Sequence, residues 1–184
     1  MRELKVRRVI AGSGPDGTAT VLADKAAPRT DDFSSLPGFS STLLWCTPAS
    51  PQVGRGDVAD PTLDVASFVP AVGETRLLMV TFPPDSAMAR SDFDPIAFGE
   101  EFQRSSPGLA ERFEADHPGM HTTDSLDYDV VLDGEITLEL DGGRQVVLKR
   151  HEVAVQHGNR HAWRNHSDKP ATLLFVLIGA QRKS

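Results

Sequence analysis

The stretch that decides the fold runs from His121 to Asn165 and reads HTTDSLDYDVVLDGEITLELDGGRQVVLKRHEVAVQHGNRHAWRN. Short runs of alternating apolar and polar residues are separated in it by turn-forming glycines. The turns include Asp133-Gly134 and Asp141-Gly142-Gly143, and such pairs between alternating runs are strong hairpin signals. The pattern therefore predicts a β-meander, with strands at residues 128–132, 136–140, 145–148 and 152–155.

Histidines are concentrated in the same part of the chain. All six lie between residues 117 and 166, and three of them stand at the ends of the meander: His121, His157 and His161. Imidazole is a common metal ligand, and it exchanges protons near neutral pH. The positions of these residues predict a site inside a small β-barrel.

The opening of the stretch resembles the first conserved motif of the cupin superfamily, a group of small antiparallel barrels or jelly rolls that often hold one metal ion. That motif contains His-x-His, then three or four residues, a Glu, six residues and a Gly. Counting back from Gly134 puts Asp127 at the Glu position. His121 stands at the first His, and Thr123 stands where the family has the second His.

The end of the stretch is similar to the second cupin motif, which runs Gly, five residues, Pro-x-Gly, two residues, His, three residues and Asn. Gln156-His157-Gly158, His161 and Asn165 match its second half, with Gln156 in place of Pro. The resemblance covers about residues 75–180, and it indicates the fold more strongly than the reaction.

The resemblance implies an all-β fold, a double-stranded β-helix or jelly-roll cupin barrel at residues 75–180. The runs at 75–82 (TRLLMVTF) and 171–178 (ATLLFVLI) are predicted strands of this barrel. Because the second run is nearly all apolar, it suits a strand covered on both faces. The family also implies a homodimer, in which this strand could lie against the partner.

Residues 1–74 are expected to add strands and loops that extend the barrel within one structural domain. The predicted strands are at 4–10, 18–23 and 39–46. A helical insertion is predicted at about 90–116, where Pro95 takes the first helical position of the first of two short helices. The insertion is either a lid over the barrel mouth or a packing element.

Composition limits the partners and the location of the protein. The chain has 184 residues and a formal net charge of −7, with no long run of Lys or Arg. This balance predicts no binding to nucleic acid. No apolar span of 18 residues and no secretion-type N-terminus are present in the sequence, which predicts a cytoplasmic protein without a membrane partner.

The predicted metal ligands are His121, Asp127 and His161. Alternate side chains of a strand share a face, so His121, Thr123 and, with a regular turn, Asp127 point the same way. The resemblance places His161 in the same cavity. Two imidazoles and a carboxylate suit a divalent transition metal ion, Fe, Mn, Ni or Zn. Thr123 is a poor ligand and is assigned to the substrate pocket.

Further candidates surround this set. His157 is a possible catalytic base, a third nitrogen ligand or a surface residue. Asp129 has the parity of Asp127 and could act as an acid or base or replace it as a ligand, and a carboxylate pair in a dry cavity would raise one pKa. Tyr128 is either a proton donor or a core residue. Trp163 shares the parity of His161, and it either lines the substrate pocket or belongs to the core.

Two classes of function follow. The first is a metal-dependent cupin enzyme that acts on a small carbonyl- or carboxylate-bearing molecule by oxygenation, decarboxylation, isomerisation, cyclisation or dehydration. The alternative is a cupin, with or without metal, that binds or senses a small molecule without catalysis. The residue types are compatible with both, because the fold carries many activities.

Overall fold

The computed structural model describes residues 6–55 and 58–183, and in these ranges the chain is built mainly of antiparallel strands. The strands are, in chain order, β1 (Arg7–Ser13), β2 (Ala19–Ala26), β3 (Arg29–Asp32), β4 (Ser40–Thr47), β5 (Thr75–Phe82), β6 (Ser125–Asp133), β7 (Glu135–Glu139), β8 (Gln145–Lys149), β9 (Val153–His157), β10 (Ala162–Arg164) and β11 (Ala171–Gly179). The prediction of an all-β jelly-roll fold with a small helical insertion is confirmed.

Two sheets share one hydrophobic core. The larger has the order β3-β4-β5-β11-β6-β9, and the smaller has the order β10-β7-β8. Residues of both sheets meet in one buried cluster, which includes Leu43, Val131 and Leu173 from the larger sheet and Ile136 and Leu148 from the smaller. The site residues lie on strands and strand ends that border this interior, so strand alternation decides which side chains enter it.

The hairpin turns follow the sequence signals. Gly134 joins β6 to β7 at a φ of 78°, a left-handed conformation that favours glycine. The strands at 75–82 and 171–178 are also confirmed, and they pair with each other in register from Thr75↔Ile178 to Phe82↔Ala171.

The N-terminal strands differ in part from their prediction. The predicted strand at 4–10 includes residues 4 and 5, which lie outside the described residues, and β1 continues beyond it to Ser13. β1 and β2 form a separate two-stranded sheet. β4 pairs with β5 and thereby extends the larger sheet, as does the short strand β3, which the sequence analysis missed because RTDD is wholly polar.

The insertion contains one α-helix, α1 (Pro95–Ser105), whose N-cap residue Asp94 accepts hydrogen bonds from the backbone N–H groups of Ile96 and Ala97. This confirms Pro95 as the first helical residue. The second predicted helix is wrong, since the chain forms only a 3-10 turn at Ala110–Arg112. Gly108, at a φ of 79°, separates the two and interrupts the right-handed helical conformation.

The last strand is covered on one face only. Burial along β11 alternates strictly between buried and half-buried residues from Ala171 to Gly179. The second face is thus only partly covered by the chain itself, and its cover by a partner subunit stays a prediction. Its half-buried face is apolar, which is why the sequence lacks the usual polar alternation.

No helix in residues 6–55 and 58–183 is long and apolar enough to cross a membrane.

Candidate functional site

Two histidines from distant parts of the chain lie side by side. The backbones of His121 and His161 exchange two hydrogen bonds, with N···O distances of 2.9 and 3.0 Å. Their imidazole rings are 4.3 Å apart between centroids. The residues are 9% and 3% exposed, so the pair is buried.

Each ring is fixed in one tautomer by a backbone carbonyl. Nδ1 of His121 lies 3.1 Å from the carbonyl oxygen of Gly119, and Nδ1 of His161 lies 3.1 Å from that of Asn159. A carbonyl oxygen only accepts, so each Nδ1 carries the proton and each Nε2 keeps a lone pair. This is the orientation that metal-binding histidines use.

Both imidazoles are neutral at pH 7. Burial lowers the pKa of His121, and burial together with the neighbouring His121 ring lowers the pKa of His161 to about 4. Two uncharged rings can lie close together without electrostatic repulsion. They act as hydrogen-bond acceptors or ligands, because neither holds a proton on Nε2.

Ion pairs tie together the two segments that carry the histidines. The guanidinium of Arg160 donates to both carboxylate oxygens of Glu114, at 2.7 and 2.6 Å, and to Asp141 at 2.7 Å. Arg164 donates to Glu139 at 2.6 Å and to the carbonyl oxygen of Pro118 at 2.7 Å. Planar, bidentate arginine contacts are geometrically specific, and these contacts hold the segment before His121 against the loop before His161.

A pair of buried carboxyl groups lies on β6. The inward side of this strand carries Ser125, Asp127, Asp129 and Val131. Asp127 is 5% exposed and Asp129 is 1% exposed, and Oδ1 of each has no hydrogen-bond partner. Oδ2 of Asp129 accepts a hydrogen bond of 2.8 Å from Nε2 of Gln156 on β9. A buried carboxyl with an unpaired oxygen is costly unless it is protonated or meets a ligand.

Burial shifts these carboxyl groups into the range of proton transfer. It raises the pKa of Asp127 to about 6. Burial also raises the pKa of Asp129, to about 7, where the Gln156 bond opposes the shift and the nearby Asp127 adds to it. Groups with pKa values near the working pH are the best general acids and bases.

Thr123 and Trp163, predicted to line the pocket, are brought to the same interior. Thr123 is 2% exposed and accepts a hydrogen bond of 2.9 Å from the hydroxyl of Ser125. Trp163 is half-buried, with its ring 6.2 Å from that of His161 and 5.8 Å from that of Phe175. Phe175 lies opposite Asp129 in the register of β11 and β6, so Trp163 packs between the histidine pair and the strand next to the carboxyl pair.

Two predicted catalytic residues face away from this interior. Tyr128 is 40% exposed, and it lies opposite Val155 on the outer face of the larger sheet. His157 is exposed as well, at the outward position of β9 beyond Gln156. The placement of both in the catalytic pocket is corrected here, because strand alternation turns the neighbours of Asp127 and Gln156 outward. Tyr128 is also not a core residue.

The donor set for a metal ion is incomplete. In the described part of the chain, no three or more His, Cys, Asp or Glu side chains lie close enough together to hold a metal ion. His121 and His161 fit as two nitrogen ligands, but Asp127 does not join them. A structural or catalytic ion needs at least three protein ligands in most sites. The three-ligand set therefore stays a prediction.

Sequence reasoning missed two contributors to the site. The sequence analysis treated Gln156 only as a replacement for Pro. Its side chain points inward from β9, and its amide donates a hydrogen bond to Asp129. Phe113 stacks on His121 with 4.6 Å between centroids and 33° between planes. It lies in the insertion, where no periodic pattern indicated a contact with the barrel.

Comparison with known proteins agrees with this geometry. Residues 114–177 match the model of the Cupin domain family. The chain is 52% identical over 63 residues to phomopsin biosynthesis cluster protein C' of Diaporthe leptostromiformis. The aligned segment is 34% of this chain and 33% of that protein. It is 36% identical over 62 residues to the cupin-domain-containing oxidoreductase virC of Hypocrea virens, which covers 32% of each chain.

One solved structure is weakly similar to this chain. An RmlC-like cupin family protein with a double-stranded β-helix fold, from Methanocaldococcus jannaschii, aligns with a TM-score of 0.37 at 11% identity, covering 57% of this chain and 70% of that one. Residues 114–177 therefore form a cupin domain, and this segment carries both the histidine pair and the carboxyl pair. The chain spans about a third of the length of the curated relatives that it matches.

Proposed function

We propose that this protein is a cupin enzyme that moves protons on a small carbonyl-bearing molecule in its barrel interior, in an isomerisation, cyclisation or dehydration. The observation that carries the proposal is the pair Asp127 and Asp129, two buried carboxyl groups that each have an unpaired oxygen. These two oxygens have no hydrogen-bond partner within the protein, and a substrate hydroxyl or carbonyl group would supply one.

The two carboxyl groups suit opposite roles. Burial raises the pKa of Asp127 to about 6 and that of Asp129 to about 7, so both protonation states of the pair are populated near neutral pH. Asp127 would remove a proton from the carbon next to the carbonyl. Asp129, held by Gln156, would donate a proton to the developing enolate oxygen or to a leaving hydroxyl group. Two neighbouring carboxyl groups in different hydrogen-bonding environments can divide the acid and base roles in this way.

The histidine pair would orient the substrate. Each Nε2 has a lone pair, so His121 and His161 accept hydrogen bonds from substrate hydroxyl groups. The predicted divalent transition metal ion, Fe, Mn, Ni or Zn, would have only these two nitrogen ligands from the described residues, so no step depends on it. Proton transfer by the aspartates uses only the residues of the chain.

The names of the relatives support an enzyme of small-molecule metabolism. Two matched proteins are named as parts of a phomopsin biosynthesis cluster, and three are named cupin-domain-containing oxidoreductases. These names describe those proteins. For this chain they support a role in small-molecule biosynthesis, whereas homodimer formation and a cytoplasmic location stay predictions.

Deuterium exchange tests the proposal without knowledge of the natural substrate. The probe is 2-tetralone, a neutral ketone with acidic α-protons, and the measurement is proton NMR in D₂O at pD 7. The wild-type protein should accelerate exchange, and Asp127→Asn should reduce the rate by at least about 100-fold, the usual contribution of a general base. Asp133→Asn, at an exposed position of β6, is the matched control.

Two results would contradict proton transfer at this site: exchange no faster than in buffer, or an equal rate in the Asp127→Asn and wild-type proteins. A change in the Asp133→Asn control would show that the assay reports on folding rather than on the site.

Non-catalytic ligand binding is the second candidate, favoured by one observation. Thr123 occupies the position of a family His, and its hydroxyl is already bonded to Ser125, so the usual metal set is not assembled. A ligand that raises the melting temperature and is recovered chemically unchanged, with no exchange in the ketone assay, would favour this second function.

A further inference from the structure

Eight aromatic side chains form a closed circuit that includes the histidine pair. Neighbouring ring centroids along it are 4.3 to 6.3 Å apart. The members, in order, are Phe39, Phe102, Phe113, His121, His161, Trp163, Phe175 and Phe82. Phe39 and Phe82 also pack in a core cluster, but Phe113 belongs to neither core cluster.

Phe113 and Trp163 stand on either side of the two imidazoles. Phe113 is nearly parallel to the ring of His121, at 33°, and Trp163 meets His161 edge to face, at 81°. Both aromatic residues are half-buried, whereas the histidines between them are buried. The two aromatic residues therefore flank the histidine pair and are less completely buried than it. Aromatic faces favour flat, unsaturated partners, which offset-stack or meet them edge to face.

The helical insertion supports this wall from outside. Phe102 on α1 meets Phe113 edge to face, with 5.1 Å between centroids. Phe102 in turn packs on the cluster of Phe33 and Phe39. The position of Phe113 over His121 thus depends on α1, which gives the insertion a contact with the site.

The polar groups of the site are two carboxyl groups and two imidazoles that accept hydrogen bonds, and no positively charged side chain pairs with them in the described part of the chain. In the described part of the chain, no Lys or Arg side chain donates a hydrogen bond to Asp127, Asp129, His121 or His161. The two nearby arginines, Arg160 and Arg164, are already paired with Glu114, Asp141 and Glu139. A substrate carboxylate would meet two carboxyl groups and no positive charge, which is unfavourable in a buried site.

We propose that the substrate is a planar, uncharged aromatic or conjugated carbonyl compound, and that Phe113 and Trp163 are the residues that select it. This inference rests on the proposed function, since it assigns the substrate class of the same interior. It also narrows the carbonyl- or carboxylate-bearing molecule expected from the sequence to the uncharged carbonyl class.

Three matched probes test shape and charge separately on the wild-type protein. They are 2-acetonaphthone, which is planar and neutral, 2-naphthoate, which is planar and anionic, and 2-acetyldecalin, which is neutral and saturated. Binding is measured at pH 7.5 by calorimetric titration. We expect 2-acetonaphthone to bind at least about tenfold more tightly than either of the others. Equal or tighter binding of 2-acetyldecalin overturns the selection of planar molecules, and equal or tighter binding of 2-naphthoate overturns the selection of neutral ones.

Substitution of Phe113 and Trp163 tests whether these two residues cause the preference for planar ketones. Phe113→Leu and Trp163→Leu should each weaken 2-acetonaphthone binding by about three- to tenfold, the usual size of one aromatic pair. They should leave the binding of 2-acetyldecalin nearly unchanged. Phe93→Leu is the control, because Phe93 contacts Phe98 in the aromatic cluster but neither histidine. Unchanged ketone binding in both site variants overturns their assignment, and the wild-type probe series decides the substrate class even where a variant fails to fold.

The substrate preference and the proton transfer can be confirmed or refuted independently of each other. Asp127→Asn should abolish deuterium exchange but keep the preference for 2-acetonaphthone over 2-acetyldecalin. If the preference is present and wild-type exchange is absent, proton transfer fails and the substrate class stands. If exchange is present and the preference is absent, the aromatic selection fails and proton transfer stands.

Discussion

Replacing Asp129 by Asn should remove a pH-dependent loss of stability. In the folded protein the pKa of this carboxyl is about 7, against an ordinary value of 3.8. An acid whose folded pKa is raised stabilises the fold at low pH, and this stability is lost as the pH rises through the folded value. Between pH 5 and pH 8.5 the folded carboxyl gives up its proton while the unfolded one is already ionised. The free energy of unfolding should fall by about 3 kcal/mol from this group alone.

The assay is urea denaturation of wild type and Asp129→Asn at pH 5 and pH 8.5. The Asn side chain has nearly the same shape, its oxygen still accepts from Gln156, and it does not ionise. The difference between the two proteins should therefore shift by about 3 kcal/mol in favour of the variant at the higher pH. Asp133→Asn, on the exposed end of β6, should show no such shift. A difference for Asp129→Asn that is constant to within about 0.5 kcal/mol would refute the burial argument.

Three further predictions concern the histidine pair, a buried amide and a turn. Titration with Zn²⁺ of protein purified without a His-tag should show one weak site per chain, because the two imidazoles have no third protein ligand beside them in the described residues. His161→Ala should remove this binding while the circular dichroism spectrum is kept; no binding to the wild type would contradict the ligand role of the pair. Asn165→Ala should lower the free energy of unfolding by about 3 kcal/mol in a urea titration, because the 1%-exposed amide donates to two carbonyl groups at 3.0 and 2.7 Å and accepts from Ser167. Gly134→Ala should cost about 2 kcal/mol or more by the same titration, since a Cβ there would lie 2.6 Å from the carbonyl oxygen of Pro170 at a φ of 78°, and an unchanged midpoint would contradict the crowding argument.

Local signals account for most of the fold that was predicted correctly. β5 was found at its observed bounds, because it is an apolar run that is followed directly by two prolines, which cannot continue a strand ladder. The turn at Gly134 was found because Asp-Gly pairs favour a left-handed conformation regardless of the surroundings. Errors occurred where the local signal was weak or mixed, as in the polar strand β3 and in the single turn at Ala110–Arg112.

The candidate site, too, was predicted from the sequence only in part. Parity along β6 predicted that Asp127 and Asp129 share a face, and the resemblance led us to expect His121 and His161 in one cavity, which the structure shows as neighbouring rings. The same alternation along β6 turns the side chain of Tyr128 outward. The role of each residue in chemistry stays a proposal.

The sequence by itself determined which residues can form strands and turns, because these preferences act over a few neighbouring residues. Only the tertiary structure decided that Asp129 lacks a partner for Oδ1, that Asp127 does not approach the two imidazoles closely enough to share a metal ion, and that Phe113 covers His121. These properties depend on desolvation and on distances between segments far apart in the chain, which arise only when the two sheets and the insertion pack together.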